Sequence, residues 1–271
     1  MPHVLIPLDG SAIAEAVIPV AMTLGPSRVT FLHVEEELDA PAAAEAMFVS
    51  AREHAGLADD RCLALVRRGR PADAILAAAN EVGATLLALS SHGRTGFNRL
   101  VLGSVAEEVV RAASTPVLLV RAGEHLITRP VFERPLIGYD GSERAWRAVE
   151  ALALLARGRA GEGTLLAAHD VAPLRPAEAD ELMERLVARQ RQGLFEVLER
   201  AAERARHLGL KVITSIREGR PSTVLLEAAE ETGSTVVVVG THGRSLLTRW
   251  IFGSVAEELL HASTLPLLVV R

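Results

Sequence analysis

Gly240, Gly243, Gly253 and Ser254 form the set of residues in this chain best suited to hold a charged ligand. Glycine lets the backbone come close to phosphate oxygens, and serine adds a hydroxyl contact. The Gly253-Ser254 pair opens a helical pattern. A helix start offers free amides and a partial positive charge, worth roughly 0.3–1 kcal/mol toward an anion at an exposed site. The same chemistry is written a second time, 150 positions earlier. Residues 90–121 align without a gap on residues 240–271, sharing HGR, GSVAEE and a terminal arginine. A second pair of loops, Pro7-Leu8-Asp9-Gly10-Ser11 and Gly138-Tyr139-Asp140-Gly141-Ser142, follows the first apolar run of each half. Together these loops suit a polyphosphate.

Other phosphate chemistries are excluded by their motifs. No GxxxxGK[ST] is present, and no GxGxxG is followed by an acid about 20 residues on. LDGS and YDGS supply neither an HIGH-type nor an SGGxDS-type loop, so an adenylating or amidotransferring enzyme is disfavoured. No general base, acidic two-metal cluster or arginine finger is recognisable. Hydrolysis of a bound polyphosphate, if any, should be slow.

The elements that must position these loops alternate regularly. Apolar runs at 3–8, 28–34, 62–66, 84–90 and 116–121 read as strands, and runs at 135–139, 164–169, 211–216, 234–240 and 266–271 take the same places. Runs this continuously apolar suit strands buried on both faces of a parallel sheet. Helical patterns lie between them, at 11–24, 71–82 and 104–113 for example, which argues for an α/β fold, doubly wound and open. Gly-Arg-Pro at 69–71 and 219–221 puts proline at a first helical position. Ser104 and Ser254, each with a glutamate three residues on, read as capping boxes. The adjacent Glu107-Glu108 and Glu257-Glu258 pairs read as first-turn acids that favour the helix dipole. Residues 35–61 predict a short helix. Residues 177–208 predict a long one whose stripe (Leu182, Leu186, Leu194, Val197, Leu198, Ala201, Ala205) covers the sheet or a subunit contact. The halves join through 122–134, and the domains are expected at 1–122 and 133–271.

Of the 271 residues, 49% are hydrophobic and 23% charged, which describes a globular chain rather than a disordered one. A formal net charge of -5 leaves no basic footprint for nucleic acid. No apolar stretch is long enough to span a bilayer, and the first residues lack a signal-peptide pattern, so a cytoplasmic location is expected. Cys62 is the single cysteine and reads as a small core residue.

The pattern G-x-x-G-x9-G-S, met in full by Gly240, Gly243, Gly253 and Ser254, resembles the nucleotide-binding signature of the universal stress protein family. The resemblance extends to the aspartate after strand one, the HV ending of strand two and the V-x-V final strand, and it covers the chain as a tandem pair. It implies five-stranded parallel sheets of order 3-2-1-4-5, two in tandem, flanked by helices. It also implies ATP, with Mg²⁺ or Mn²⁺, at the switch point between strands one and four. Because the last strand pairs between subunits in that family, the two halves are expected to form an intramolecular pseudo-dimer, with a homodimer as a further option. The implied role is an ATP-binding stress-response or regulatory protein. The rival is a nucleotide-independent dimerising scaffold that acts through protein partners.

Carried over residue by residue, Pro7, Asp9 and Asp140 would lie by the nucleoside, and Val34 and Asp170, each following a strand-two histidine, would border adenine. Gly93, Gly103, Ser104 and Val105, with Gly240, Gly243, Gly253, Ser254 and Val255, would hold phosphates. His92 and Arg94, and His242 and Arg244, form the loops between. Those arginines could neutralise phosphate charge or stand solvated, and the histidines could order the loop or touch phosphate. Asp9 and Asp140 could equally serve as helix caps. His33 and His169 read as core histidines. Ser90 stands where the signature has its first glycine, adding a side chain where close backbone approach is expected. The C-terminal site is therefore the surer binder, with both sites occupied the expected state.

Overall fold

The structure is a computed structural model and describes residues 2–35, 41–91, 102–121, 129–169, 181–241 and 253–271. In the first half the elements are β1 (His3–Leu8), α1 (Ala12–Glu15), α2 (Val17–Met22), β2 (Arg28–Glu35), α3 (Pro41–Ala55), β3 (Cys62–Arg68), α4 (Pro71–Glu81), β4 (Leu86–Ser90), α5 (Ser104–Ala112) and β5 (Val117–Val120). The second half repeats them as β6 (Pro135–Gly138), α6 (Glu143–Ala156), β7 (Glu162–His169), α7 (Glu181–His207), β8 (Lys211–Glu218), α8 (Pro221–Glu231), β9 (Val236–Gly240), α9 (Ser254–Ala262) and β10 (Leu267–Val270).

Each half has the order 3-2-1-4-5, but the two sheets expected from sequence are one. The strands run β3-β2-β1-β4-β5-β10-β9-β6-β7-β8 without interruption. The join is an antiparallel pairing of β5 with β10, with Leu119 opposite Leu267, Leu118 opposite Leu268 and Val117 opposite Val269. All six side chains are buried. Two strands that are apolar on both faces would otherwise present open edges, and pairing them removes that exposure.

The period-two alternation of strand side chains feeds two cores that both cross this seam. Leu118 and Leu268 join the core under α1, α2, α3, α6 and α7. Val117, Leu119, Leu267 and Val269 join the core under α4, α5, α8 and α9. The long α7 uses Leu198, Ala201 and Ala205 of its stripe to cover the sheet, and Leu194 and Val197 pack partly against the same core.

The sequence pattern at 11–24 predicts one helix, and the structure has two. Pro19, the third residue of α2, has no N–H for the Glu15 carbonyl one turn earlier, so the ladder breaks at Ala16. The described end of the connection between halves is also less polar than its composition suggests. Val131 and Phe132 are buried. The Val131 amide donates to Thr23 Oγ1 at 3.1 Å, Thr235 Oγ1 donates to the Val131 carbonyl at 2.8 Å, and the Gly161 amide donates to the Phe132 carbonyl at 3.0 Å.

The seam predicts cooperative unfolding. Leu268→Ala should cost about 2–5 kcal/mol and lower one common transition for the whole chain in calorimetry. Two separate transitions, with only the second shifted, would contradict a shared core.

His3 adds a pH dependence. Burial, and then the Arg28 cation, lower its pKa, and its Nε2 lies 2.8 Å from Thr30 Oγ1. The folded state therefore prefers the neutral ring, while the unfolded chain takes up the proton first as pH falls. Stability should be full above about pH 6.5 and decline below it. His3→Gln should flatten that decline in pH-dependent denaturation curves.

Candidate functional site

In each half two helices start from the carboxyl ends of the central strands, where β1 lies between β2 and β4 and β6 lies between β7 and β9. Strand order reverses there, which is where open α/β sheets place ligands. The two helix starts are handled in opposite ways.

After β1 and β6 the Asp-Gly-Ser turn is closed on itself. Asp9 Oδ1 accepts from the Ser11 amide at 2.9 Å and from Ser11 Oγ at 2.6 Å, and Asp140 Oδ1 accepts from the Ser142 amide at 2.9 Å. Ser11 Oγ and Ser142 Oγ then accept from Ala14 and Ala145 amides, each at 3.1 Å, capping α1 and α6. Gly10 and Gly141 adopt φ of 78° and 83°, the left-handed region that this turn requires and glycine tolerates. Both aspartates thus order their turn through one carboxylate oxygen, a capping role present alongside any ligand role.

After β4 and β9 the helix starts open. Gly103 and Gly253 are the N-caps, in extended backbone, and having no side chain they give α5 and α9 no side-chain cap of their own. The capping boxes read at Ser104 and Ser254 are not formed, because these serines are the first helical residues and Glu107 and Glu257 sit one position too late. The Gly103 amide donates to the Ser91 carbonyl at 2.6 Å, and the Gly253 amide to the Thr241 carbonyl at 2.5 Å. Those bonds fix each helix start against the end of β4 or β9 and shift the cap onto glycine. They also engage the amides of Gly103 and Gly253. The amides of the first helical turn, from Ser104 and Val105 or Ser254 and Val255 onward, have no intrahelical acceptor. Val105 and Val255 pack partly against the core, holding that turn in place.

The glutamate pairs do more than favour the dipole. Glu108 pairs with Arg70 at 2.8 Å, and Glu258 pairs with Arg220 and accepts from Ser222 Oγ. Each ties its open helix to the Gly-Arg-Pro loop beside it. Glu107 and Glu257 both pair with Arg111, at 3.0 and 2.9 Å. Hydrogen bonds to both carboxylates outweigh the desolvation that opposes charge on Arg111, and its pKa is raised. The terminal arginines of the repeat are reciprocal caps. Arg121 donates to the His261 carbonyl at 2.7 Å and Arg271 to the Ala112 carbonyl at 3.2 Å, so each half secures the end of the other half's open helix. Burial lowers the pKa of Arg121. Sequence reasoning missed these roles, although the shared arginine was their signal.

Strand register corrects one equivalence. Leu32 pairs with Pro7, and Leu166 pairs with Gly138. Glu35 and His169 both accept from the glycine of Gly-Arg-Pro, at 3.2 and 3.1 Å. His169 therefore occupies the place of Glu35 rather than that of His33, and Ala168 is the counterpart of Val34. The predicted match of Val34 with Asp170 is two residues out of step, because the histidine after an apolar run is not a fixed register mark. His33 is satisfied by Leu8, with Nδ1 3.0 Å from its carbonyl. Val34 packs partly against the core. Pro7 ends up half-buried in β1 and Ser90 half-buried at the end of β4. His92, Gly93, Arg94, Asp170, His242, Gly243 and Arg244 lie outside the described residues.

The first signature glycine has a structural reason of its own. A Cβ on Gly240 would sit 2.9 Å from the Arg144 carbonyl oxygen and 3.2 Å from the Ala145 amide, in the first turn of α6. Gly240 lets α6 press on β9. In the first half α1 is only four residues long, and Ser90 stands there with its Oγ buried and, among the described residues, without a hydrogen-bond partner. His169 Nδ1, at the end of β7, is also buried and unpartnered. Orphaned polar atoms of this kind are uncommon in folded proteins. Because β5 and β10 are antiparallel, the two atoms lie at opposite edges of the sheet, Ser90 at the carboxyl-end rim of the first half and His169 at that of the second, so each rim offers one polar atom to a ligand.

The universal stress protein family model matches residues 1–121 and again residues 132–271. The chain belongs to that family. It is 31% identical over 202 residues to universal stress protein Rv2005c of Mycobacterium tuberculosis, a match spanning 74% of this chain and 66% of that relative. It is 31% identical over 156 residues to universal stress protein MJ0531 of Methanocaldococcus jannaschii, covering 56% of this chain and 87% of the relative. The crystal structure of a universal stress protein from Archaeoglobus fulgidus superposes with a TM-score of 0.65 at 22% identity, over 99% of this chain and 98% of that one, a likeness of fold. No helix among the described residues is long and apolar enough to cross a membrane.

The packing of Gly240 gives a direct test. Gly240→Ser should destabilise the chain by about 1–3 kcal/mol through overpacking, whereas Ser90→Gly should change stability by less than that in the same denaturant titration.

Proposed function

We propose that this universal stress protein is an ATP-binding regulatory protein acting in the cytoplasm, with one nucleotide site per half and at most slow hydrolysis. The observation that carries the reading is the contrast between helix starts. The Asp-Gly-Ser helices are capped by their own serines, whereas α5 and α9 begin uncapped at Gly-Ser beside the sheet switch point. The phosphates would lie on the first-turn amides of Ser104 and Val105 or Ser254 and Val255, and on the serine hydroxyls. Asp9 and Asp140, held by their turns, would face the nucleoside. Ser90 Oγ in the first half and His169 Nδ1 in the second, each buried and without a partner among the described residues, would each give a polar contact at the rim of its own half. ATP would bring Mg²⁺ or Mn²⁺ on its phosphates. The two halves, paired through β5 and β10, would act as an intramolecular pseudo-dimer that presents its nucleotide state to a protein partner.

Added ATP should raise thermal stability by mass action, by about 2.7 kcal/mol at a hundredfold excess over Kd. Ser254→Asp places a carboxylate where phosphate would lie, yet acids are favoured in a first helical turn. It should abolish ATP binding at the second site without lowering the melting temperature of the free protein. Absence of any ATP-dependent shift in the unmodified protein would leave the nucleotide-independent scaffold as the reading, and rapid multiple turnover would make it an enzyme.

A further inference from the structure

Resting on the reading of α5 and α9 as anion sites, we propose that Arg111 is a positioning residue shared by both sites and couples them negatively. An anion bound at one Gly-Ser turn weakens binding at the other. Arg111 lies in the last turn of α5. Its Nε and Nη2 lie 3.1 and 3.0 Å from Glu107 Oε1, and the same Nη2 lies 2.9 Å from Glu257 Oε1 of α9. The two glutamates have identical places in their helices. The Glu107 amide donates to the Gly103 carbonyl and the Glu257 amide to the Gly253 carbonyl, both at 2.9 Å, closing the turns on which the ligands would sit. One guanidinium thus neutralises a carboxylate in the first turn of each open helix.

The second half has no equivalent cation. The gapless repeat places His261 where the first half has Arg111. The rest of the seam is reciprocal, since Arg121 and Arg271 each cap the opposite helix. The sharing therefore follows from a single substitution within an otherwise two-fold arrangement. An anion at the Ser104 turn draws the Arg111 charge toward its own helix and leaves Glu257 less compensated. Glu257 then opposes an anion at the Ser254 turn. The converse holds for occupation of the second site. Among the described residues, the two carboxylates share this one guanidinium, and ligands at the two turns compete for its charge.

The test compares the second site's ATP affinity, by calorimetric titration of the full chain, in two variants of the first site. Ser104→Leu blocks the first site without charge, and Ser104→Asp blocks it with a fixed carboxylate in the ligand's place. Affinity should be about fivefold weaker in Ser104→Asp than in Ser104→Leu, within the usual span of coupling between sites. Adding Arg111→Gln should bring the two affinities together, and adding Arg111→Lys should keep them apart. Adding His261→Arg, which gives α9 its own cation, should also bring them together. Equal affinities in the two Ser104 variants with Arg111 intact would overturn the coupling. So would a difference that persists in Arg111→Gln. No ATP binding by the unmodified chain, or two ATP still bound by both Ser104 variants, would instead overturn the site reading on which the coupling rests.

Discussion

The antiparallel pairing of β5 with β10 is the constraint on which the rest of the molecule depends. Each five-stranded half ends in a strand that is apolar on both faces, and such a strand cannot face water. Pairing the two ends makes one sheet from two and joins the cores on both faces. It also carries α5 and α9 to either side of the seam, close enough for one arginine to reach acids on both. The reciprocal arginine caps exist because the pairing puts the end of each terminal strand beside the partner helix. The duplication is therefore more than two copies on a string, since α5 and α9 are each completed at their ends by an arginine of the other half.

Within each half, local hydrogen bonding decides which helix start can receive a ligand. Both loops are rich in glycine and serine, and both precede helices. In Asp-Gly-Ser the left-handed glycine brings the serine under the aspartate and leaves its hydroxyl aimed at the helix, where it takes one first-turn amide, that of Ala14 or Ala145. In Gly-Ser the glycine is itself the cap and has no side chain to offer. Its amide is fixed to the neighbouring strand end, which holds the open turn rigidly at the rim. The glycine cap, which lies only about a few tenths of a kcal/mol below serine, is kept in both halves with the same geometry. That repetition fits the ligand sites proposed for both halves.

Most strands were legible because runs such as Val-Val-Val-Val and Leu-Leu-Ala-Leu admit little else once turn residues bound them. Both Gly-Arg-Pro helix starts were legible for the equivalent reason, a proline that tolerates only one place. The break at Ala16 was written in Pro19 but hidden by an apolar pattern that continues through it. The cap at Ser104 was misplaced by one residue because cap identity depends on where Ser91 fixes the preceding glycine, which is a tertiary fact. The slip between His33 and His169 has the same origin. Register is set by neighbouring strands, and a matching letter two positions away is no guide to it. The role of Arg111 was illegible altogether, since its partner Glu257 is 146 positions distant.

The two sites differ less at the signature glycine than the sequence suggests, and more at the rim. Serine for glycine at position 90 looks like an obstruction to phosphate, and on that ground the second site ranks higher. The structure aims the corresponding Cβ at the first turn of the helix after strand one, so the glycine at 240 answers to α6 and not only to a ligand. The reason for ranking the second site higher is therefore weakened. The end of strand two diverges more. Glu35 is buried and paired with Arg68 at 3.3 Å, whereas His169 lies across from Glu218 with a nitrogen left unpartnered. Glu218 pairs instead with Arg191 of α7 at 3.8 Å, so the two strand-two ends present different polar groups at their rims. Duplication has kept the open helix starts alike and let the surroundings of each site separate, and the shared arginine links the two.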